Sequence, residues 1–171
     1  MALVLEDGTG KADANSYGSV AEADSYHATY TGSTVWANAE TADKERALIV
    51  ATQYLDIVYG DRCRGLKGSQ SQALEWPRVD AEDNDGYLYD SDEVPTRWKQ
   101  ACFELALRHV SGDELLAAET TPGRVAEESF QIGPLKEATK YEGARPYGYV
   151  YPKVEALVRE LIARSDRVIR G

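Results

Sequence analysis

The densest set of potential ligands in the chain is AEDNDGYLYDSDE, residues 81–93, where carboxylates alternate with other residues on the approach to Gly86. Calcium loops present their oxygens in this way, with a glycine at the sixth of twelve positions for the sharp turn. Setting Gly86 there puts Asp83 and Asp85 at the third and fifth positions, Leu88 at the eighth and Asp92 at the twelfth. The first position then falls on Ala81, which has no side-chain oxygen, and Asp92 is shorter than the glutamate that normally binds through both oxygens. Trp76-Pro77-Arg78 also stands where the incoming helix of such a site would run. The stretch reads as a solvated acidic turn, with no metal and no cofactor implied.

Two further near-motifs fail on spacing. Gly60-Asp-Arg-Cys-Arg-Gly65 followed by Leu66-Lys67 resembles a phosphate-binding glycine loop, but Leu66 intervenes before the lysine, no hydroxyl residue follows it, and a helix leads in. Cys102 and His109 share a helix face in the manner of a nucleophile and its base, yet seven residues of helix separate them by about 10 Å, too far for a hydrogen bond. Core packing is the better reading of both, and His27, the other histidine, has no identifiable partner. No catalytic residue survives, so the chain reads as a non-enzyme.

Aromatic and basic residues point instead to a surface. The chain has eleven tyrosines against two phenylalanines, and Tyr141, Tyr147, Tyr149 and Tyr151 crowd one short link. Tyrosine suits surfaces that are apolar on one side and wet on the other, so this crowd marks either an interface or a link packed over the core. Beyond it, Arg159, Arg164, Arg167 and Arg170, with Ile169 among them, form a basic end. The bland reading is complementarity to a helix dipole; the functional one is docking onto an acidic partner.

Composition narrows the classes. With 171 residues and 43% hydrophobic content, the chain fits one compact domain that needs no staples. Its two cysteines, Cys63 and Cys102, have neither zinc spacing nor the density of a disulfide scaffold. No stretch reads as an export signal or a membrane span, which leads us to expect synthesis in a reducing cytoplasm and no membrane partner. A net charge of −10, from 29 acidic and 19 basic residues, opposes a phosphate backbone. Residues 80–93 alone hold seven carboxylates and no Lys or Arg.

The elements that must position these residues are mainly α-helical: a compact bundle of about four helices with a long central loop and one β-hairpin. Ser19 and Glu22 form a capping box opening a helix from Val20 to Tyr30. A turn over Thr31 to Thr34 brings Trp36. Thr41 then opens a second helix ending near Tyr59, with Leu48, Ala51, Leu55 and Val58 as its apolar stripe. Residues 60–94 show no sustained period and read as a long acidic loop. Pro95 suits the first turn of a third helix that carries Trp98, Cys102, Leu105 and His109 on one face and stops at Gly112. A hairpin follows over 124–141, with strands Arg124 to Ile132 and Leu135 to Tyr141 around Gly133-Pro134. A last helix runs from Lys153 to about Ile169, with Val154, Leu157, Leu161 and Ile162 as its stripe; 153–170 is the docking helix of a single domain spanning 1–171.

Three stretches, LVLEDGTGKADANSYGSVAEADSYH, SQALEWPRVDAEDNDGYLYDSDEVP and WKQACFELALRHVSGD, together resemble the head-tail adaptor (connector) proteins of tailed bacteriophages. That family also goes under the label of DnaT-like single-stranded DNA-binding proteins. The resemblance covers most of the chain in matching order and rests on structural signatures, not on a catalytic motif. It implies a virion protein of the neck, made in the host bacterial cytoplasm. Twelve copies would form a homo-oligomeric ring below the portal protein, extending the DNA channel and giving the stopper or tail-completion proteins a platform, while genomic DNA passes through without specific binding. A ring closes by heterologous contacts, so each subunit needs two different lateral faces. The expected partner interface, with the portal or a neighbouring subunit, is Arg159, Arg164, Arg167, Ile169, Arg170, Phe130, Ile132, Tyr147, Tyr149 and Tyr151. The acidic turn, Asp83, Asp85, Asp90 and Asp92, could line the channel, where it would repel DNA phosphates, or face outward. The alternative function, single-stranded DNA binding, needs a basic groove interleaved with exposed aromatics; the basic end is interrupted by Glu155, Glu160 and Asp166.

Overall fold

Helix α1, Val20–Tyr30, begins where the capping box requires. The Ser19 side chain accepts from the Glu22 N–H at 3.2 Å, and the Glu22 carboxylate accepts from the Ser19 N–H at 2.8 Å. The computed structural model describes residues 2–116, 127–132, 135–139 and 151–163. Two compact units make up the chain, residues 1–115 with 150–171, and residues 116–149.

In the first unit, the turn expected before Trp36 leads into an unexpected five-residue helix that carries Trp36, α2, Thr34–Asn38, capped by Ser33 and followed by α3, Thr41–Tyr59. Five helices are thus present among the described residues, where about four were expected. Helix α4, Thr96–Val110, packs chiefly on α3 and on α5, Pro152–Val158. Pro95 is the N-cap of α4, outside its first turn: its carbonyl accepts from Trp98 N–H at 2.9 Å and Lys99 N–H at 3.1 Å.

The buried faces follow the helical stripes. Leu48, Ala51 and Leu55 of α3 meet Trp98, Ala101, Cys102 and Leu105 of α4, all fully buried. Val58 is only half-buried, because Tyr54 and Tyr59 take the places beside it in the core. Trp76 and Tyr17 close over Trp98, with ring centroids 6.0 Å apart in both pairs.

The last helix is shorter than its pattern suggested. α5 ends at Val158, and Ile162 pairs antiparallel with Cys63. Arg64 N–H donates to Leu161 O at 3.1 Å, and Ala163 N–H to Arg62 O at 2.7 Å. These long-range bonds satisfy backbone groups that a continuing helix would have used; of the expected stripe Val154 and Leu161 are fully buried, Val158 joins them, and Leu157 and Ile162 are half-buried. Residues 164–170 of the expected docking helix lie outside the described residues.

Residues 60–94 form several tight pieces. A 3₁₀ turn at Gly60–Arg62 leads to strand β1, Leu66–Lys67, which pairs antiparallel with β2, Arg78–Val79. Arg78 braces the crossing, donating to Arg64 O at 2.8 Å, Gly65 O at 3.0 Å and the Glu75 carboxylate at 2.8 Å. In the second unit, β3, Glu127–Ile132, pairs antiparallel with β4, Leu135–Thr139, with a bulge at Glu127 and Glu128. The ends of the expected strands, residues 124–126 and 140–141, lie outside the described residues.

Candidate functional site

Glu82 and Leu88 face each other in an antiparallel bridge, so the acidic stretch is a small hairpin. Tyr89 N–H donates to Ala81 O at 2.8 Å and Asp83 N–H to Tyr87 O at 2.9 Å. The tip is closed from within: one oxygen of Asp83 accepts from Asp85 N–H at 2.8 Å and from Tyr87 N–H at 2.9 Å. An aspartate that hydrogen-bonds its own turn mimics one more ladder rung. Gly86, with φ of 88°, supplies the left-handed residue that this turn requires.

Two devices fix the hairpin to the body. Arg64 donates to Glu82 O at 3.0 Å, Asp83 O at 3.1 Å and Asn84 Oδ1 at 2.6 Å, while its Nε reaches Ile162 O at 3.3 Å. A guanidinium with five donors in a rigid fork suits such a set of acceptors. At the other end, Gly8 lies so close to the Asp92 carbonyl that an added Cβ would come within 1.7 Å of its oxygen. The loop carrying Gly8 is built on Glu6, only 1% exposed, whose carboxylate accepts from Gly8, Gly10 and Lys11 N–H groups, each at 2.9 Å. Three backbone donors converging on one carboxylate satisfy its charge without solvent.

What the hairpin presents to solvent is mixed. Tyr87 is 74% and Leu88 65% exposed, beside the exposed carboxylates Glu82, Asp85, Asp90, Asp92 and Glu93. Behind the tip lies a groove of about 310 Å³ lined by Leu88, Tyr89, Asp90, Glu93, Pro95, Thr96, Arg97 and Leu161. Arg97 is paired with Glu160 at 3.0 Å across this region.

The remaining polar clusters hold the core together. Tyr17 donates its hydroxyl to the Asp56 carboxylate and accepts from Glu75 N–H at 2.9 Å and Trp76 N–H at 3.3 Å. Burial pushes Asp56 up to about 7, against the lowering effect of the Tyr17 and Glu75 hydrogen bonds. Glu104, buried on α4, accepts from Tyr26 at 2.8 Å and from Lys153, tying α1 to the start of α5. Cys63 and Cys102 are buried, and desolvation raises both thiols to about 12, so neither is a thiolate near neutral pH. Cys102 Sγ sits 3.5 Å from Thr52 Oγ1, and His27 Nδ1 lies 3.1 Å from Thr31 Oγ1.

Of the residues expected at an interface, Tyr151 is buried against Tyr54, with its ring under the Arg108 guanidinium at 4.8 Å. That is the core-packing alternative for this tyrosine. Arg159 is exposed at the end of α5. Phe130 lies opposite Glu137 and Ile132 opposite Leu135 in the β3–β4 register. Tyr147, Tyr149, Arg164, Arg167, Ile169 and Arg170 lie outside the described residues. Of the acidic set, Asp83 is half-buried and engaged, whereas Asp85, Asp90 and Asp92 are exposed. Sequence reading missed Arg64 and Glu6, and named Leu161 only for the apolar stripe of the last helix. Only Glu6 had a local signal, the Asp-Gly-Thr-Gly that follows it.

Residues 1–171 match the family described as "Putative DnaT-like ssDNA binding protein". The chain belongs to this family. Comparison of the DnaT-like chain with curated proteins and with solved structures returned no match. In this DnaT-like protein the most exposed large apolar residues of the 80–93 region, Tyr87 and Leu88, are surrounded by carboxylates, an environment unlike the basic, aromatic-lined track that holds single strands.

Proposed function

We propose that the protein is a structural head-tail adaptor of a tailed phage, assembling as a homo-oligomeric ring below the portal. In that place it extends the DNA channel and carries the stopper or tail. One observation carries the reading: the 80–93 hairpin is locked at both ends and at its tip, and still leaves Tyr87 and Leu88 in solvent. An ordered apolar tip with an acidic rim has the anatomy of a protein-binding patch, apolar at its centre and polar around it. The same rim repels a phosphate backbone, which suits a channel protein that must let DNA slide.

Single-stranded DNA binding is the second reading, favoured by the family description. It requires phosphate contacts from Lys or Arg beside stacking rings, with affinity falling steeply as salt rises. Two measurements on the purified protein separate the readings. Native mass spectrometry, alone and with a portal protein, is expected to show a closed ring, and fluorescence anisotropy with labelled oligothymidylate is expected to show no binding at physiological salt. Submicromolar binding with a steep salt slope, and no assembly with or without portal, would reverse the order of the two.

A further inference from the structure

The groove behind the acidic hairpin has a floor and walls that suit a particular occupant. Its apolar walls are Leu88, Tyr89 and Pro95 over the buried Leu161, its acidic ones Asp90 and Glu93, and its lining cation, Arg97, is already paired with Glu160 at 3.0 Å. The sequence contains one complementary segment, RSDRVIRG at 164–171, in which three arginines outnumber one aspartate and flank Val168 and Ile169. We propose that this groove is the acceptor for segment 164–171 of a second copy of the chain, with Ile169 seated beside Leu88 and Tyr89 and the arginines meeting Asp90, Asp92 and Glu93. The proposal rests on the ring assembly argued above and names the lateral contact that would build it.

A ring closed by heterologous contacts favours a neighbour's segment over the chain's own. Leu161 pairs with Arg64, whose side chain clamps the hairpin, but Ile162 pairs with Cys63 and Ala163 with Arg62. From Leu161 to Ala163 the chain runs antiparallel to residues 62–64, and the Ile162 carbonyl is held at 3.3 Å by the same Arg64 guanidinium that clamps the hairpin. Eight residues reach about 26 Å when extended, enough to cross a subunit boundary. A donated segment and a separate acceptor are the two unlike faces that a heterologous ring needs.

Cysteine trapping in the full chain tests this, because Cys63 and Cys102 are buried. Two proteins, one carrying Leu88→Cys and the other Ile169→Cys, distinguished by a mass tag, are mixed and oxidised mildly. The expected product is the mixed disulfide dimer, one copy of each variant joined through the two introduced thiols, at least tenfold above either homodimer. Asp90→Lys with Glu93→Lys should reduce it about tenfold, and Arg167→Glu with Arg170→Glu on the other protein should restore it. A homodimer-dominated pattern at high protein concentration overturns the docking, as does an intrachain link in the doubly substituted protein at nanomolar concentration. Native mass of the same samples keeps the two proposals apart: rings without the mixed link leave the adaptor reading standing and remove only this contact.

Discussion

Asp56 is a carboxylate held where water would serve it better. Burial raises it from 3.8 to about 7 even though Tyr17 and the Glu75 N–H both bond it. Because the folded value lies above the unfolded one, Asp56 contributes stability fully below about pH 4 and loses that contribution as pH rises through 7. The loss is on the order of 4 kcal/mol, from about three pKa units at 1.36 kcal/mol each. Asp7 works in the opposite sense: Lys11 and Thr9 hold its carboxylate down to about 2, so raw stability curves mix signs. The expected result therefore concerns a difference. Urea unfolding of wild type and Asp56→Asn from pH 4 to 8 should show wild type losing ground steadily to the variant, and a constant gap would refute the assignment. Glu6 yields a second expectation. Glu6→Gln puts an amide where one carboxylate oxygen now accepts from Lys11 N–H, which opposes donor to donor in a buried place. A cost of about 1–3 kcal/mol in the same assay is expected.

The hairpin owes its order to a few contacts of its own element, and these can be removed singly. Asp83→Ala deletes the acceptor for Asp85 and Tyr87 N–H, whereas Asp83→Asn keeps an oxygen there. The alanine variant is expected to be cut by protease between residues 84 and 88 at least tenfold faster than wild type, with a melting temperature close to wild type, and the asparagine variant to resist. Millimolar calcium should raise the melting temperature of neither, since Asp83 is already occupied and Ala81 offers no ligand. Glycines give a matching contrast. Gly86 has open space around it, so Gly86→Ala should cost only the left-handed conformation, roughly 1–2 kcal/mol. Gly8→Ala must also displace the Asp92 carbonyl and should cost clearly more. Helices α1, α3 and α4 were legible because their signals are local: a capping box, a stripe at three and four residues, a proline at the start. The end of α5 was not, because it is decided by Arg64 and Cys63, which lie nearly a hundred positions away in the chain. The candidate site divides in the same way. Its acids and apolar tip could be read from the sequence, but the clamp that orders them could not, since nothing beside Arg64 distinguishes it from any solvated arginine.

At the scale of the whole molecule, the question is where folding stops needing the chain and assembly begins to. The last inward contacts of the described residues are those of Val158, Leu161 and Ile162, and they end at Ala163. Removing residues 165–171 should leave them in place, with a change in unfolding free energy within about 0.5 kcal/mol. Removing residues 160–171 takes away Leu161, the Cys63 bridge and the Ile162 carbonyl bonded by Arg64. The fully buried leucine alone is worth about 2–5 kcal/mol, so this truncation should be visibly less stable and should loosen the acidic hairpin with it. Assembly should be lost equally in both, because both lack Arg167, Ile169 and Arg170. The combination that carries the argument is the shorter deletion: a protein as stable as wild type by urea titration, monomeric by light scattering, and unable to join the portal. If it still forms rings, the lateral contact belongs to other surfaces, with β3 at Phe130 and Ile132 the next to test. If it unfolds, the segment is part of the core of its own subunit, and the groove behind the hairpin has no need of a neighbour to fill it.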